Sequence, residues 1–327
     1  MLRACAISAA CCTFTLVSGG AVAADWKPDR VVEIIVATGA GGGQDKSART
    51  VQRILQENKI LPVASTVNNK PGGGGLVAWS FLNQRGSDGH FIAISNPTLL
   101  TNHITGRSNI NYTDLTMIAN LFTESVAISV RAESPIQSIK DLSDRLRKDV
   151  TSLSFSVGSS LGSANHIAMA RLARLSGADP KKMRAVVFQG GGQAMTAVLG
   201  GHVDLMASAA NNVTPHLQGG KIRVLGVTSE KRLEGSFAAV PTLKEQGYNV
   251  VINNGRMIVG PKAMTPQQLA YWESSLAKMT ATPEWKKDIE ENDFESLFLL
   301  GIETQAYLKK QYSELKQVLG DLGMATK

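Results

Sequence analysis

Cysteine is almost missing from this chain. Three occur in 327 residues, Cys5, Cys11 and Cys12, all within the first dozen. Beyond Cys12, a disulfide framework, a thiol nucleophile and a cysteine metal site are therefore excluded. Aromatic residues are scarce at 6%, and charge is modest at 19%, against 43% hydrophobic residues. That balance excludes a disordered chain and leaves one large or two medium globular domains. After the N-terminal segment no apolar run reaches the ~20 residues that span a bilayer. The five histidines, His90, His103, His166, His202 and His216, show no paired ligand spacing, and no carboxylate pair is spaced for general acid–base work. We expect no metal and no cofactor. Phosphate-cradling motifs are missing too. No Gly-Lys-Ser/Thr follows a glycine loop, and Gln44 stands where a dinucleotide fingerprint needs glycine or alanine.

What is present begins with an export pattern. Arg3 precedes an apolar run over residues 4–17, and Ala21-Val22-Ala23 forms an A-x-A cleavage box. Residues 1–23 are thus expected to be a signal peptide, cleaved near Ala23, with the rest periplasmic. Lys+Arg exceeds Asp+Glu by 34 to 27, a formal +7. Export makes nucleic acid an implausible partner for that excess. The pairs Lys181-Lys182, Lys286-Lys287 and Lys309-Lys310 read as solvated helix faces.

Short apolar runs at 31–36, 91–95, 126–130, 153–157, 185–188, 222–228 and 257–260 alternate with helical patterns. Ala48, Val51 and Leu55 make one helical stripe. Leu308, Tyr312, Leu315, Leu319 and Leu322 make a longer one. The class is α/β, with a mostly parallel sheet covered on both faces.

Two strand-to-helix junctions carry the functional signal. Thr38-Gly39-Ala40-Gly41-Gly42-Gly43-Gln44-Asp45 precedes a helix near Lys46. Ser159-Ser160-Leu161-Gly162-Ser163-Ala164-Asn165-His166 opens another. A helix N-terminus presents unpaired N–H groups and the positive end of its dipole, and glycines let a ligand approach. Together they make an anion site that needs no charged side chain. Gly158-Ser159-Ser160-Leu161-Gly162 also matches G-x-S-x-G, with Asp204 and His216 following in hydrolase order. A serine hydrolase using Ser160 is therefore a rival, weakened because His216 follows Pro215 in a helical segment.

An ordered set of motifs carries a family resemblance. Trp26-Lys27-Pro28-Asp29-Arg30, Gly41-Gly42-Gly43-Gln44-Asp45, Asn69-Lys70-Pro71-Gly72-Gly73-Gly74-Gly75, Gly158 to His166, Gly200-Gly201-His202-Val203-Asp204, Pro215-His216, Gly219-Gly220-Lys221 and Val240-Pro241-Thr242 occur in sequence. The chain resembles the periplasmic solute-binding proteins of tripartite tricarboxylate transporters, the Bug (TctC-type) family. The resemblance implies a two-lobed periplasmic-binding-protein fold of the Venus-flytrap, type II-like kind with two crossover connections, near Thr123 and Thr228. Lobe 1 would hold 24–124 plus 230–327, and lobe 2 would hold 125–229. It implies no enzyme. A monomer would capture a di- or tricarboxylate between the lobes and deliver it to an integral-membrane permease. Aromatic-carboxylate binding and a signalling receptor are the alternatives.

Carried over by resemblance, the ligand loops are Thr38 to Asp45 and Ser159 to Asn165, with Ser160, Gly162, Ser163 and Ala164 among them. Gly190 and Ser208 join them. Asp45 reads mainly as a first-turn dipole partner and less as a contact. Ser95 and Asn96 are rim donors or a plain strand end. Three departures from the family pattern stand out. Ala37-Thr38 replaces Pro-Phe. Ala207-Ser208-Ala209 replaces Phe-Asp-Asn, removing a carboxylate and favouring a more anionic ligand. Asn253-Asn254-Gly255-Arg256 stands where Asn-Trp-Arg is frequent, so Arg256 is either a bidentate partner for a distal ligand carboxylate or a plain surface arginine.

Overall fold

A computed structural model describes residues 25–326 apart from 159 and 189. The signal-peptide expectation, the three cysteines and Ser159 lie outside the described residues. The chain runs β1 (Val32–Val36), α1 (Gly43–Glu57), β2 (Ser65–Asn69), α2 (Leu76–Asn83), β3 (Phe91–Ser95), α3 (Thr98–Ile104) and β4 (Thr116–Glu124). It crosses to β5 (Val126–Arg131), α4 (Ile139–Lys148), β6 (Ser154–Val157), α5 (Ala164–Leu175), β7 (Arg184–Val187), α6 (Gly191–Leu199), β8 (Leu205–Ala209), α7 (Ala210–Gln218) and β9 (Ile222–Val227). It returns through β10 (Asn254–Gly260), α8 (Pro266–Ala281), α9 (Pro283–Glu291), β11 (Glu295–Leu300) and α10 (Gly301–Asp321).

Two sheets result, ordered β11-β4-β10-β3-β1-β2 and β7-β6-β8-β5-β9. The sequence leads one to expect mostly parallel strands; both sheets are mixed. β1 pairs in parallel with β2 and β3, and β6 in parallel with β7 and β8. The strands next to the crossings, β4, β5, β9 and β10, run antiparallel to their neighbours. A strand arriving from the other sheet enters from the cleft end and so must run against the parallel set.

Both faces of each sheet are covered, which explains the unbroken apolar runs. Val32, Ile34 and Val36 pack with Val51, Leu55, Trp272 and Leu276 on one side of the first sheet. Ile35 and Ala37 face Trp79, Leu99 and Leu308 on the other. In the second sheet Val126, Ile128 and Val130 join one core and Ala127 the opposite one.

The first crossing is a single residue, Ser125, between β4 and β5. The return departs from the sequence expectation. Val227 bridges to Thr242, and Leu243 and Val250 are buried in the core of the second sheet. The chain therefore stays with that sheet after Thr228 and leaves it near Ile252. Thr228 ties the crossings together. Its Oγ1 accepts from the Val126 N–H at 2.9 Å and donates to the Ile252 carbonyl at 3.3 Å. No helix among the described residues is long and apolar enough to cross a membrane.

Candidate functional site

The first glycine loop is held from beneath. The Asp45 carboxylate, 2% exposed, accepts from the Gly41 N–H at 2.9 Å, Arg49 Nε at 3.0 Å and Asn69 Nδ2 at 3.0 Å. Asn69 Nδ2 also donates to the Thr38 carbonyl at 3.0 Å. Burial alone would raise the Asp45 pKa, but these donors, Arg49 foremost, hold it below the ordinary carboxylate value. Asp45 faces into the loop and anchors it, and Asn69, from the glycine-turn motif, is the second anchor. Gly41 takes φ +79°, a conformation open to glycine, and turns the chain into α1.

Above this loop lies a cavity of about 50 Å³ between the two sheets. Four helices begin on it: α1 at Gly43, α5 near Asn165, α6 at Gly191 and α7 at Ala210. None of the four has a side-chain hydrogen bond capping its N-terminus. Their first-turn N–H groups and dipoles converge on one small volume, an arrangement suited to an anion. Sequence reasoning finds two of these helix starts and misses the roles of α6 and α7. The approach is close. A Cβ on Gly158 would lie 2.9 Å from Gly191 Cα, so glycine is what lets the β6 loop meet the start of α6.

The cavity brings together Thr38, Gly42, Gly43, Gln44, Asn96, Asn165, Gly190, Ser208 and Arg256 from the sequence expectation. Gly39, Ala40 and Gly41 are on the outer limb of the loop and do not line it. Ser95 is fully buried within β3. Ser160 and Gly162 turn toward the first sheet's elements. A Cβ on Gly74 would sit 3.2 Å from Ser160 Oγ, and one on Gly162 would sit 3.7 Å from Thr101 Oγ1. Ser163 is the residue before α5, and Ala164 lines a separate 320 Å³ cavity beside α10.

Two expectations change here. Arg256 is on the cavity, but its guanidinium is engaged. Nη2 lies 2.6 Å from Glu124 Oε1, both side chains being almost fully buried. Asn254 Nδ2 donates to the other oxygen, Glu124 Oε2, at 3.0 Å. The sequence also argues for a cleft emptied of carboxylate by Ala207-Ser208-Ala209. Glu124 restores one from the end of β4. Sequence reasoning misses Glu124, Asn212 and Asn254. Glu124 sits in no motif, and its partner is 132 residues away; Asn212 lies one turn past Ser208, in the first turn of α7.

The hydrolase triad does not assemble. Asp204 Oδ2 accepts from the Ser154 N–H and hydroxyl at 2.7 and 2.8 Å, and His216 lies in the last turn of α7. His166 instead supports the second loop. Its Nδ1 accepts from the Gly162 N–H at 3.2 Å, and burial, helped by Arg107, pushes its pKa down to about 4. The neutral ring is what the loop requires.

Two α/β sheets, linked by paired crossings with a polar cavity between them, define a two-lobed binding protein of the periplasmic type. The chain belongs to the tripartite tricarboxylate transporter receptor family, whose model matches residues 48–324. These are solute-binding proteins, not enzymes. A Cupriavidus necator relative, the UPF0065 protein in the gbd 5′ region, is 27% identical over 92% of this chain and 90% of its own. The fold is shared with the periplasmic binding protein BugD, at a TM-score of 0.84 and 24% identity over 91% of this chain and 99% of that one. It is also shared with two Rhodopseudomonas palustris proteins. One was solved with adipate, at a TM-score of 0.83 and 23% identity over 91% and 99%. The other is MatC with bound malate, at 0.80 and 19% over 89% and 99%.

Proposed function

We propose that this protein is an exported, periplasmic, monomeric receptor that captures a small carboxylate in the cavity between its sheets. It closes on the ligand and presents the closed form to the membrane permease of a tripartite transporter. The convergence of four uncapped helix N-termini on one cavity is the observation that carries this reading. Thr38, Gln44, Asn96, Asn165 and Ser208 supply neutral polar groups around it. The buried Thr38 Oγ1 and Gln44 Oε1 have no protein partner. Closure draws its free energy from contacts that exist only when both sheets reach the ligand.

The test is calorimetry on protein refolded free of ligand, against small mono- and dicarboxylates, with Gly43→Ala as the site variant. A Cβ at position 43 projects to 3.6 Å from Arg256 Nη2 and 3.9 Å from Asn212 Nδ2. It therefore fits the fold yet occupies ligand space. We expect carboxylate affinity to fall at least about tenfold, with the unliganded melting temperature unchanged or slightly raised, since alanine exceeds glycine in helix propensity. Undiminished affinity in Gly43→Ala would place the ligand elsewhere.

A further inference from the structure

We infer that the ligand of this cavity is a small monocarboxylate whose far end is an uncharged donor–acceptor group, a primary amide above all, rather than a second carboxylate. The inference rests on the carboxylate reading of the same site and narrows it.

Among the described residues, Glu124 and Arg256 are the only ionisable side chains on the cavity wall, and they are paired with each other. Each is 2% exposed. Their charges cancel, so attraction for an anion is left to the helix N-termini. Three of these, α5, α6 and α7, belong to the second sheet's lobe and supply the carboxylate end. The ion pair lies on the other wall, at the ends of β4 and β10. It comes within reach of α1, where a Cβ on Gly43 would lie 3.6 Å from Arg256 Nη2 and 3.9 Å from Glu124 Oε1.

The unfilled hydrogen-bonding capacity of the pair defines what that end accepts. Glu124 Oε1 is buried and meets Arg256 Nη2 at 2.6 Å, which leaves a lone pair open to a further donor. Arg256 Nε is buried with its N–H unpartnered. One atom can take a further donor and the other needs an acceptor. A primary amide offers an N–H to Glu124 and a carbonyl to Arg256. A second carboxylate offers only acceptors, and it would set a buried anion against Glu124 where screening by water is weak. Binding a dianion would require Glu124 to give up Arg256 or to take a proton.

Isosteric pairs decide this: succinate against succinamate, and glutarate against glutaramate, titrated calorimetrically at pH 7.5. The wild-type protein is expected to bind the monoamide at least tenfold more tightly in the better-fitting pair. In Glu124→Gln, Arg256 loses its counter-ion and the order should reverse in favour of the diacid. A wild-type preference for the diacid in both pairs overturns this inference and leaves the carboxylate reading standing. No binding of any of the four, with no response to other small carboxylates, overturns both. Should Glu124→Gln fail to fold, the wild-type ratio alone still decides, and Glu124→Asp, which keeps the charge, should retain the monoamide preference.

Discussion

Asp45 is a carboxylate under an anion site, and its placement resolves the apparent conflict. Its two oxygens are filled by Gly41, Arg49 and Asn69, so the charge is spent on shaping the loop. Asp45→Asn keeps the size but replaces one acceptor with a donor facing donors. We expect a loss of about 1–3 kcal/mol in urea unfolding and weaker ligand binding. Because the folded pKa lies below 3.8, the unfolded chain binds protons first on acidification. Asp45 thus stabilises the fold fully above that value and ceases to as pH falls through the folded pKa. Residues of this kind were legible from local pattern: a glycine loop, a first-turn acid and a helix start lie within eight positions. Glu124 was not legible, because its meaning comes from Arg256 and Asn254 across a crossing that no local spacing encodes.

Elements with strong periodicity were read well. The α1 stripe and the β1, β3, β5 and β9 runs stand close to where the pattern places them. β2, β4, β8 and β11 are not among the apolar runs the sequence shows. β2 is Ser-Thr-Val-Asn-Asn and β8 is Leu-Met-Ala-Ser-Ala. Polar and small residues carry little strand signal, and their pairing is dictated by neighbouring strands. α5 carries the element-scale prediction. His166, in its first turn, is neutral in the folded protein down to about pH 4 but has the ordinary imidazole value of 6.5 when unfolded. As pH falls below 6.5 the unfolded chain takes the proton and the folded chain does not. Stability should therefore decline from 6.5 toward 4, by at most about 3 kcal/mol from this residue. Melting temperatures across that range should show the slope, and His166→Gln should flatten it. An unchanged slope would mean the ring does not act as the buried acceptor for Gly162.

At the scale of the molecule, contacts between the two halves set how readily it closes. Arg107 Nη1, beyond α3, donates to the Leu161 carbonyl on the second loop at 2.6 Å. Ile104, Ile167 and Leu319 form a small apolar cluster joining α3, α5 and α10. Arg107→Ala removes a surface contact between the halves without touching either core. Affinity should fall by up to about fivefold, the worth of a solvent-exposed hydrogen bond of about 1 kcal/mol. X-ray scattering of the unliganded variant should show a larger radius of gyration than wild type, and identical profiles would count against a latch at this point. The outgoing crossing is the single residue Ser125. The return is hard to read from sequence, because a segment with weak pattern, 229–252, is bound to the second sheet by a few buried side chains such as Leu243 and Val250.

The scarcity of cysteine has a practical corollary. All three thiols lie in the first twelve positions, so a chain beginning at Asp25 presents none to a maleimide. Gly39 sits on the outer limb of the first loop, with nothing within 4 Å of where its Cβ would be. A single Gly39→Cys, conjugated to an environment-sensitive fluorophore, would place the dye beside the cleft mouth without crowding the binding groups. The protein would then report its own occupancy as a change in emission, and a compound library could be read for its solute by eye on a plate.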